Sequence, residues 1–80
     1  MRLDKYLKVS RLIKRRTVAN DACDAQRITV NGRVAKASYD VKIGDIIQIQ
    51  FGTTILKVKV VLIKEHVTKD ESTLMYEVVE

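Results

Sequence analysis

Residues 2–32, RLDKYLKVSRLIKRRTVANDACDAQRITVNG, decide the fold, because the period of hydropathy changes within them. Leu3, Tyr6, Leu7 and Ser10 fall on one face at about 3.6 residues per turn, with Lys5 and Lys8 opposite. Leu12 lies opposite Leu3 on the same wheel, so this first helix ends near Val9 or Ser10. Asp4 sits in its first turn, where a carboxylate suits the positive helix end, and it stands four residues before Lys8. A second helix runs from about Arg16 to Gln26. Its apolar arc is Val18, Ala19, Ala22, Cys23 and Ala25, and its other face is Asn20, Asp21, Asp24 and Arg27. Thr17, or a residue one or two positions earlier, caps it. Lys14, Arg15 and Arg16 therefore stand where free backbone N–H groups open a helix, a natural phosphate site.

From Ile28 the period becomes that of strands. Ile28-Thr29-Val30 leads into Asn31-Gly32, the favoured type I′ pair, and Arg33 to Ala37 returns. Lys42 to Asp45 is a turn. Ile46 to Phe51 alternates, with Ile47, Ile49 and Phe51 on one face and Gln48 and Gln50 on the other. After Gly52-Thr53, a long strand from Ile55 to Ile63 turns Leu56, Val58, Val60 and Leu62 one way and Lys57 and Lys59 the other. Lys64 to Ser72 reads as a polar loop, and Thr73 to Val79 as a last strand with Leu74, Tyr76 and Val78 inward. Two short N-terminal helices packed on a small antiparallel sheet of about five strands make an α+β fold. The 80 residues form one domain, 1–80, with no linker, repeat or low-complexity tract.

Charge is the second feature. Residues 1–16 hold seven Lys or Arg against the single Asp4, a net +6, whereas the other 64 positions carry eight basic and nine acidic groups, a net −1. The whole net charge of +5 thus comes from one end of the chain. A field this concentrated is the footprint of a surface that meets phosphates.

Several classes are set aside. No apolar run is long enough to span a bilayer, and the charged N-terminus lacks a following apolar segment, so the expected location is the cytosol, away from membranes. One His and one Cys, His66 and Cys23, do not make a catalytic pair, and Cys23 on an apolar helix face reads as a buried, inert thiol. His and Cys cannot supply four metal ligands, and the three glycines all sit in turns rather than in a phosphate loop. Turn chemistry accounts for Asp40 and Asp45. No catalytic residue, metal or cofactor is expected, and the chain is not read as an enzyme. A helix-turn-helix DNA reader would offer Asp21 and Asp24 on its recognition helix, which repels DNA. Positive charge on the first helix and at the start of the second suits capture of backbone phosphates on structured RNA.

A resemblance sharpens this. Arg2-Leu3-Asp4-Lys5, Ser10-Arg11-Leu12, Arg15-Arg16-Thr17, Ala22, Arg27-Ile28, Val30-Asn31-Gly32, Lys36, Ser38, Val41-Lys42 and Gly44-Asp45 resemble the S-four RNA-binding domain, the αL module. The likeness covers about residues 1–50, leaving 51–80 as a C-terminal strand extension. Within that superfamily the chain is similar to the RqcP family of small bacterial ribosome-quality-control proteins, to which heat-shock protein fifteen is a longer relative. The likeness rests on the KVSRLIKRRT run, AKAS, the Phe51-Gly52 turn and Met75-Tyr76. The resemblance implies a non-catalytic protein that binds large ribosomal subunits obstructed by peptidyl-tRNA. It would contact large-subunit rRNA and the tRNA, and would support the alanine tailing carried out by RqcH.

By the same resemblance, Arg2 and Lys5 reach phosphates, Arg11, Lys14, Arg15 and Arg16 form a central patch, and Arg33 and Lys36 extend it along the hairpin. Asp4 would orient a neighbouring Arg and cap the first helix. Tyr6 is either core or a base-stacking platform, its place on the apolar stripe favouring core; Tyr39 is a weaker stacking candidate. Lys8, Lys57 and Lys59 read as solvent-exposed. The expected state is a monomer, and charge reversal at Arg16 is expected to abolish binding with little effect on thermal unfolding. Two other readings stand beside this one. One is an αL protein of rRNA maturation or ribosome assembly. The other is the RNA-binding appendage of an enzyme such as a pseudouridine synthase, which the Met1 start and the lack of any catalytic segment disfavour.

Overall fold

A computed structural model describes residues 1–79; Glu80, the last position of the expected domain, lies outside the described residues. Helix α1 spans Leu3–Val9 and α2 spans Arg16–Asp24. Strands β1 (Ile28–Val30), β2 (Arg33–Val34), β3 (Ile46–Phe51), β4 (Thr54–Val60) and β5 (Tyr76–Val78) form one antiparallel sheet in the order β2-β1-β3-β4-β5. A third helix, α3 (Lys69–Ser72), and a 3₁₀ turn at Thr73–Met75 precede β5.

Both N-terminal helices stop on a residue in the left-handed region. Arg11 (φ 63°) follows the C-cap Ser10, and its N–H donates to the Lys8 carbonyl at 3.1 Å. Gln26 (φ 62°) follows Ala25, and the N–H groups of Gln26 and Arg27 donate to the carbonyls of Cys23 and Ala22, a Schellman closure. That closure ends α2 at Asp24, two residues before the sequence-based limit of Gln26. The N-cap of α2 is Arg15, two positions before Thr17, and its side chain makes no capping bond.

The core is a single cluster between the helices and one face of the sheet. Helix α1 contributes Leu3, Tyr6 and Leu7, α2 contributes Ala19 and Cys23, and the strands contribute Ile28, Val30, Ile47, Ile49, Val58 and Val60. Each large aliphatic chain so removed from water contributes about 1.5–3 kcal/mol. Only part of the expected α2 arc takes part: Ala22 is half-buried, and Val18 and Ala25 are exposed, because α2 meets α1 and the sheet along a narrow stripe of small side chains. Register places Ile47 opposite Val58 and Ile49 opposite Leu56, so Lys57 and Lys59 point to the uncovered face and are exposed, as is Lys8 on α1. Phe51 shares the core-side phase of Ile47 and Ile49, but its end of the hairpin runs past the helices and leaves it exposed.

The segment between β2 and β3 runs beneath the start of α1. Asp4 and Leu3 N–H groups donate to the carbonyls of Ala37 and Tyr39, and Val41 N–H donates to that of Met1. This is why β2 ends at Val34 and does not reach Ala37. Asn31 (φ 53°) and Gly32 (φ 82°) make the expected hairpin turn, and the Asn31 side chain accepts from Ile46 N–H, tying the turn to β3. Asp45 closes its turn by accepting from Lys42 N–H, as turn chemistry requires, but Asp40 instead pairs with the N-terminal ammonium at 2.8 Å.

The C-terminal third departs most from the sequence-based expectation. Strand β4 ends at Val60 instead of Ile63, because the N–H groups of Val61 and Leu62 both donate to the Met75 carbonyl. Tyr6 O–H donates to the same carbonyl at 2.7 Å, which makes Tyr6 a core residue. The expected 64–72 loop contains α3, opened by a reciprocal capping box between Thr68 and Glu71. The expected strand from Thr73 shrinks to Tyr76–Val78, and Met75, not Leu74, fills the core: Leu74 and Val78 are 63% and 64% exposed.

Because the Met75 carbonyl keeps two backbone donors when the phenol is removed, Tyr6→Phe is expected to cost only about 1 kcal/mol. Met75→Ala, which opens a cavity, is expected to cost about 2–5 kcal/mol. Urea unfolding of the two variants beside the parent checks the order.

Candidate nucleic-acid interface

The geometry of the basic end turns on one buried carboxylate. Asp4 is 2% exposed, in the first turn of α1. Its Oδ1 accepts from Lys5 N–H at 2.9 Å and from Arg2 Nε at 3.2 Å, while its Oδ2 lies 3.3 Å from Arg16 Nε and accepts from Asn20 Nδ2 at 3.4 Å. Arg2 sits just before α1, and Arg16 and Asn20 are one turn apart on α2. Asp4 thus joins the two helices and holds two guanidinium groups, each about half exposed, with donors left over. Burial pushes the Asp4 carboxyl up, but the bonds from Arg16, Asn20 and Lys5 N–H and the charge of Arg16 outweigh it and leave it below its ordinary value of 3.8. The expected orienting role therefore extends to two arginines. Asp4 is not the helix cap: that position belongs to Arg2, which makes no side-chain capping bond.

The other expected positions fall into three places. Arg15 is the exposed N-cap of α2. Arg11 and Lys14, on the α1–α2 connection, line a groove of about 660 Å³ whose other walls are Lys8 on α1 and Glu65, His66 and Lys69 from the C-terminal third. Lys5 is ion-paired to Glu65, and that pairing holds the Glu65 carboxyl below its usual range. Arg33 and Lys36 line a separate depression of about 610 Å³ on the β1–β2 hairpin, together with Tyr39, whose phenol donates to Asp45 at 2.9 Å. The structure therefore brings Arg2 and Arg16 together on Asp4 and Arg11 and Lys14 together in the groove, and sets Arg33 and Lys36 apart on a flank.

Sequence reasoning missed His66 and Lys69 as neighbours of the basic end. They approach α1 because Val61 and Leu62 are tied to Met75 and the partly buried Leu62, Ile63 and Val67 pack on the core. The Thr68-x-x-Glu71 pattern is a readable sign of the local helix that follows. Cys23 is buried, and that burial pushes its thiol up to about 11, away from reactivity. Among the described residues, no group of three or more His, Cys, Asp or Glu is placed to hold a metal ion, and no helix is long and apolar enough to cross a membrane.

Two short helices packed on a small antiparallel sheet, with cations gathered where the helices meet, are the form of an αL module, and the chain belongs to the S4 domain family, whose profile matches residues 1–47. Within it the chain is similar to proteins named RQC P-site tRNA stabilizing factor. That of Halalkalibacterium halodurans is 56% identical over 78 residues, 98% of this chain and 89% of the other. That of Streptococcus pneumoniae is 53% identical over 79 residues, 99% and 90%. Among solved structures, trimeric heat shock protein 15 of Vibrio cholerae superposes with a TM-score of 0.91 at 28% identity, covering 99% of this chain and 81% of that one.

The Arg16–Asp4 contact gives charge reversal at Arg16 an expected cost to the fold as well as to binding. A glutamate there faces the buried Asp4, so Arg16→Glu is expected to lose stability on the order of 1–2 kcal/mol, whereas Arg15→Glu at an exposed position changes the unfolding midpoint little. Thermal unfolding of both variants checks this. Because the folded Asp4 pKa lies below the unfolded one, its stabilisation is complete above about pH 4 and disappears as pH falls through the lowered folded value. Asp4→Asn is expected to be less stable at pH 7 and to lose less on acidification than the parent, a flattening readable in denaturant midpoints from pH 7 to pH 2.

Proposed function

We propose that this protein is a non-catalytic RNA-binding factor of ribosome-associated quality control. It binds large ribosomal subunits obstructed by peptidyl-tRNA, contacts rRNA and the tRNA, and supports RqcH-dependent alanine tailing of the stalled chain. It acts in the cytosol as a monomer, the whole chain serving as one domain with residues 1–50 as the RNA-binding core and 51–80 as its extension. The observation that carries the reading is the Asp4-centred pair of guanidiniums together with three exposed cations on the α1–α2 connection, Arg11, Lys14 and Arg15. The names of the relatives, which speak of a stabilised P-site tRNA, supply the setting.

The mechanism is electrostatic. Arg2 and Arg16, each aimed by one carboxylate, meet phosphate oxygens in forked geometry, while Arg11, Lys14 and Arg15 neutralise neighbouring phosphates. Arg33 and Lys36 extend contact along the hairpin. Shape selects the target: the cations match a folded RNA surface, not a base sequence. Holding a tRNA still needs no bond to be made or broken, so no residue here is asked to act as acid, base or nucleophile.

With about four to six phosphates neutralised, binding of purified protein to large subunits carrying peptidyl-tRNA is expected to give a log–log salt slope on the order of −3 to −5. Equilibrium sedimentation across a potassium chloride series checks it. A slope near zero, or equal binding to immature particles lacking tRNA, would replace this reading with another.

A further inference from the structure

We propose that the groove between α1 and the C-terminal third is a second RNA subsite, in which Lys8, His66 and Lys69 join Arg11 and Lys14 to hold the sugar–phosphate backbone of a strand passing across α1. The inference rests on the RNA-binding reading above and gives residues 64–69 a part in it that the N-terminal αL core does not supply. Charge argues for an anion. Among the described residues, Lys8, Arg11, Lys14 and Lys69 are in no ion pair, and the one carboxylate on the lining, Glu65, is held by Lys5 from outside it. Four uncompensated cations around one concavity repel each other until an anion enters.

Shape argues for a strand over a small ion. A volume of about 660 Å³ is far larger than one phosphate, and the half-buried Val9 and Val67 give the groove apolar surface beside its cationic rim. Apolar surface suits a ribose, and flanking cations suit the phosphates on either side of it. An acidic polypeptide would pack on the valines as well, so it is the continuity of the groove with the cations of the α1–α2 connection that selects RNA. The groove also shares Arg11 and Lys14 with the α1–α2 connection, so a backbone reaching Arg15 and Arg16 continues into it without leaving positive surface.

Rigidity argues that the groove is ready before a ligand arrives. The C-terminal wall is anchored at both ends: Val61 and Leu62 by the Met75 carbonyl, and Val67 by its packing against the core. Ion pairing of Glu65 to Lys5 brings its middle against α1. The backbone of the groove is then in place before binding, and the ordering cost falls on its exposed lysine and arginine side chains.

The test uses the full chain with Lys8→Gln and Lys69→Gln together, both at exposed positions, and reads affinity for large subunits carrying peptidyl-tRNA over a salt series. The expected result is weaker binding at every salt concentration and a log–log slope shallower by about 2, one unit for each lost phosphate contact. A photoreactive side chain in place of His66 is expected to crosslink to RNA. If the parent binds steeply and the double variant matches it in affinity and slope, the groove is overturned while the αL reading stands. Crosslinks exclusively to protein overturn it in favour of an acidic polypeptide. A parent that shows no salt-dependent binding at all sinks the αL reading and this subsite with it.

Discussion

A carboxylate withdrawn from water has to find partners, and the two helices are arranged around that demand. Asp4 sits at the seam of α1 and α2 and draws donors from four residues: Arg2, Lys5, Arg16 and Asn20. Removing its charge would leave guanidiniums without an aim and a helix pair without its polar tie. The same ion that closes the fold thus sets the direction of two cations, which explains how so basic an end is tolerated beside a small core. Where the helices touch, Asp4 compensates two of the seven cations, Arg2 and Arg16, and the rest of the positive field stays open to a ligand.

The sheet acts as the platform that makes this seam possible. Its covered face receives Leu3, Tyr6 and Leu7, and the Tyr6 phenol reaches across to the Met75 carbonyl. That carbonyl accepts three hydrogen bonds, from Tyr6, Val61 and Leu62, and so pins the start of the polypeptide to its end. The C-terminal loop consequently lies beside α1, where Lys5 meets Glu65. Packing in the core and charge on the surface are linked through this one acceptor.

Much of this was legible in the residues and some was not, for identifiable reasons. Periodicity located α1, β1 and β3 closely, since their apolar faces are the faces they bury. The cluster of cations was plain from charge alone. The end of α2 was hidden because Gln26 takes a left-handed conformation that sequences usually mark with Gly or Asn. The end of β4 is set by Met75, fifteen residues beyond Val60, which no local pattern carries. Helix α3 was missed: Thr68 and Glu71 carry its capping signature, but the polarity of the stretch reads as a loop. Asp4 was recognisable as an organiser, but Arg16 and Asn20 come to it from the next helix, and the groove joins residues more than fifty positions apart.

Arg11 shows what the surface demands of the backbone. A side-chain-bearing residue at a φ of 63° costs on the order of 1 kcal/mol, and glycine would escape that penalty while giving up a similar amount in chain entropy. Folding energetics are therefore close to indifferent between the two, and the helix would terminate as well with no side chain there. What glycine cannot provide is a cation projecting from the apex of the bend, so the tight corner itself serves as a pedestal for charge.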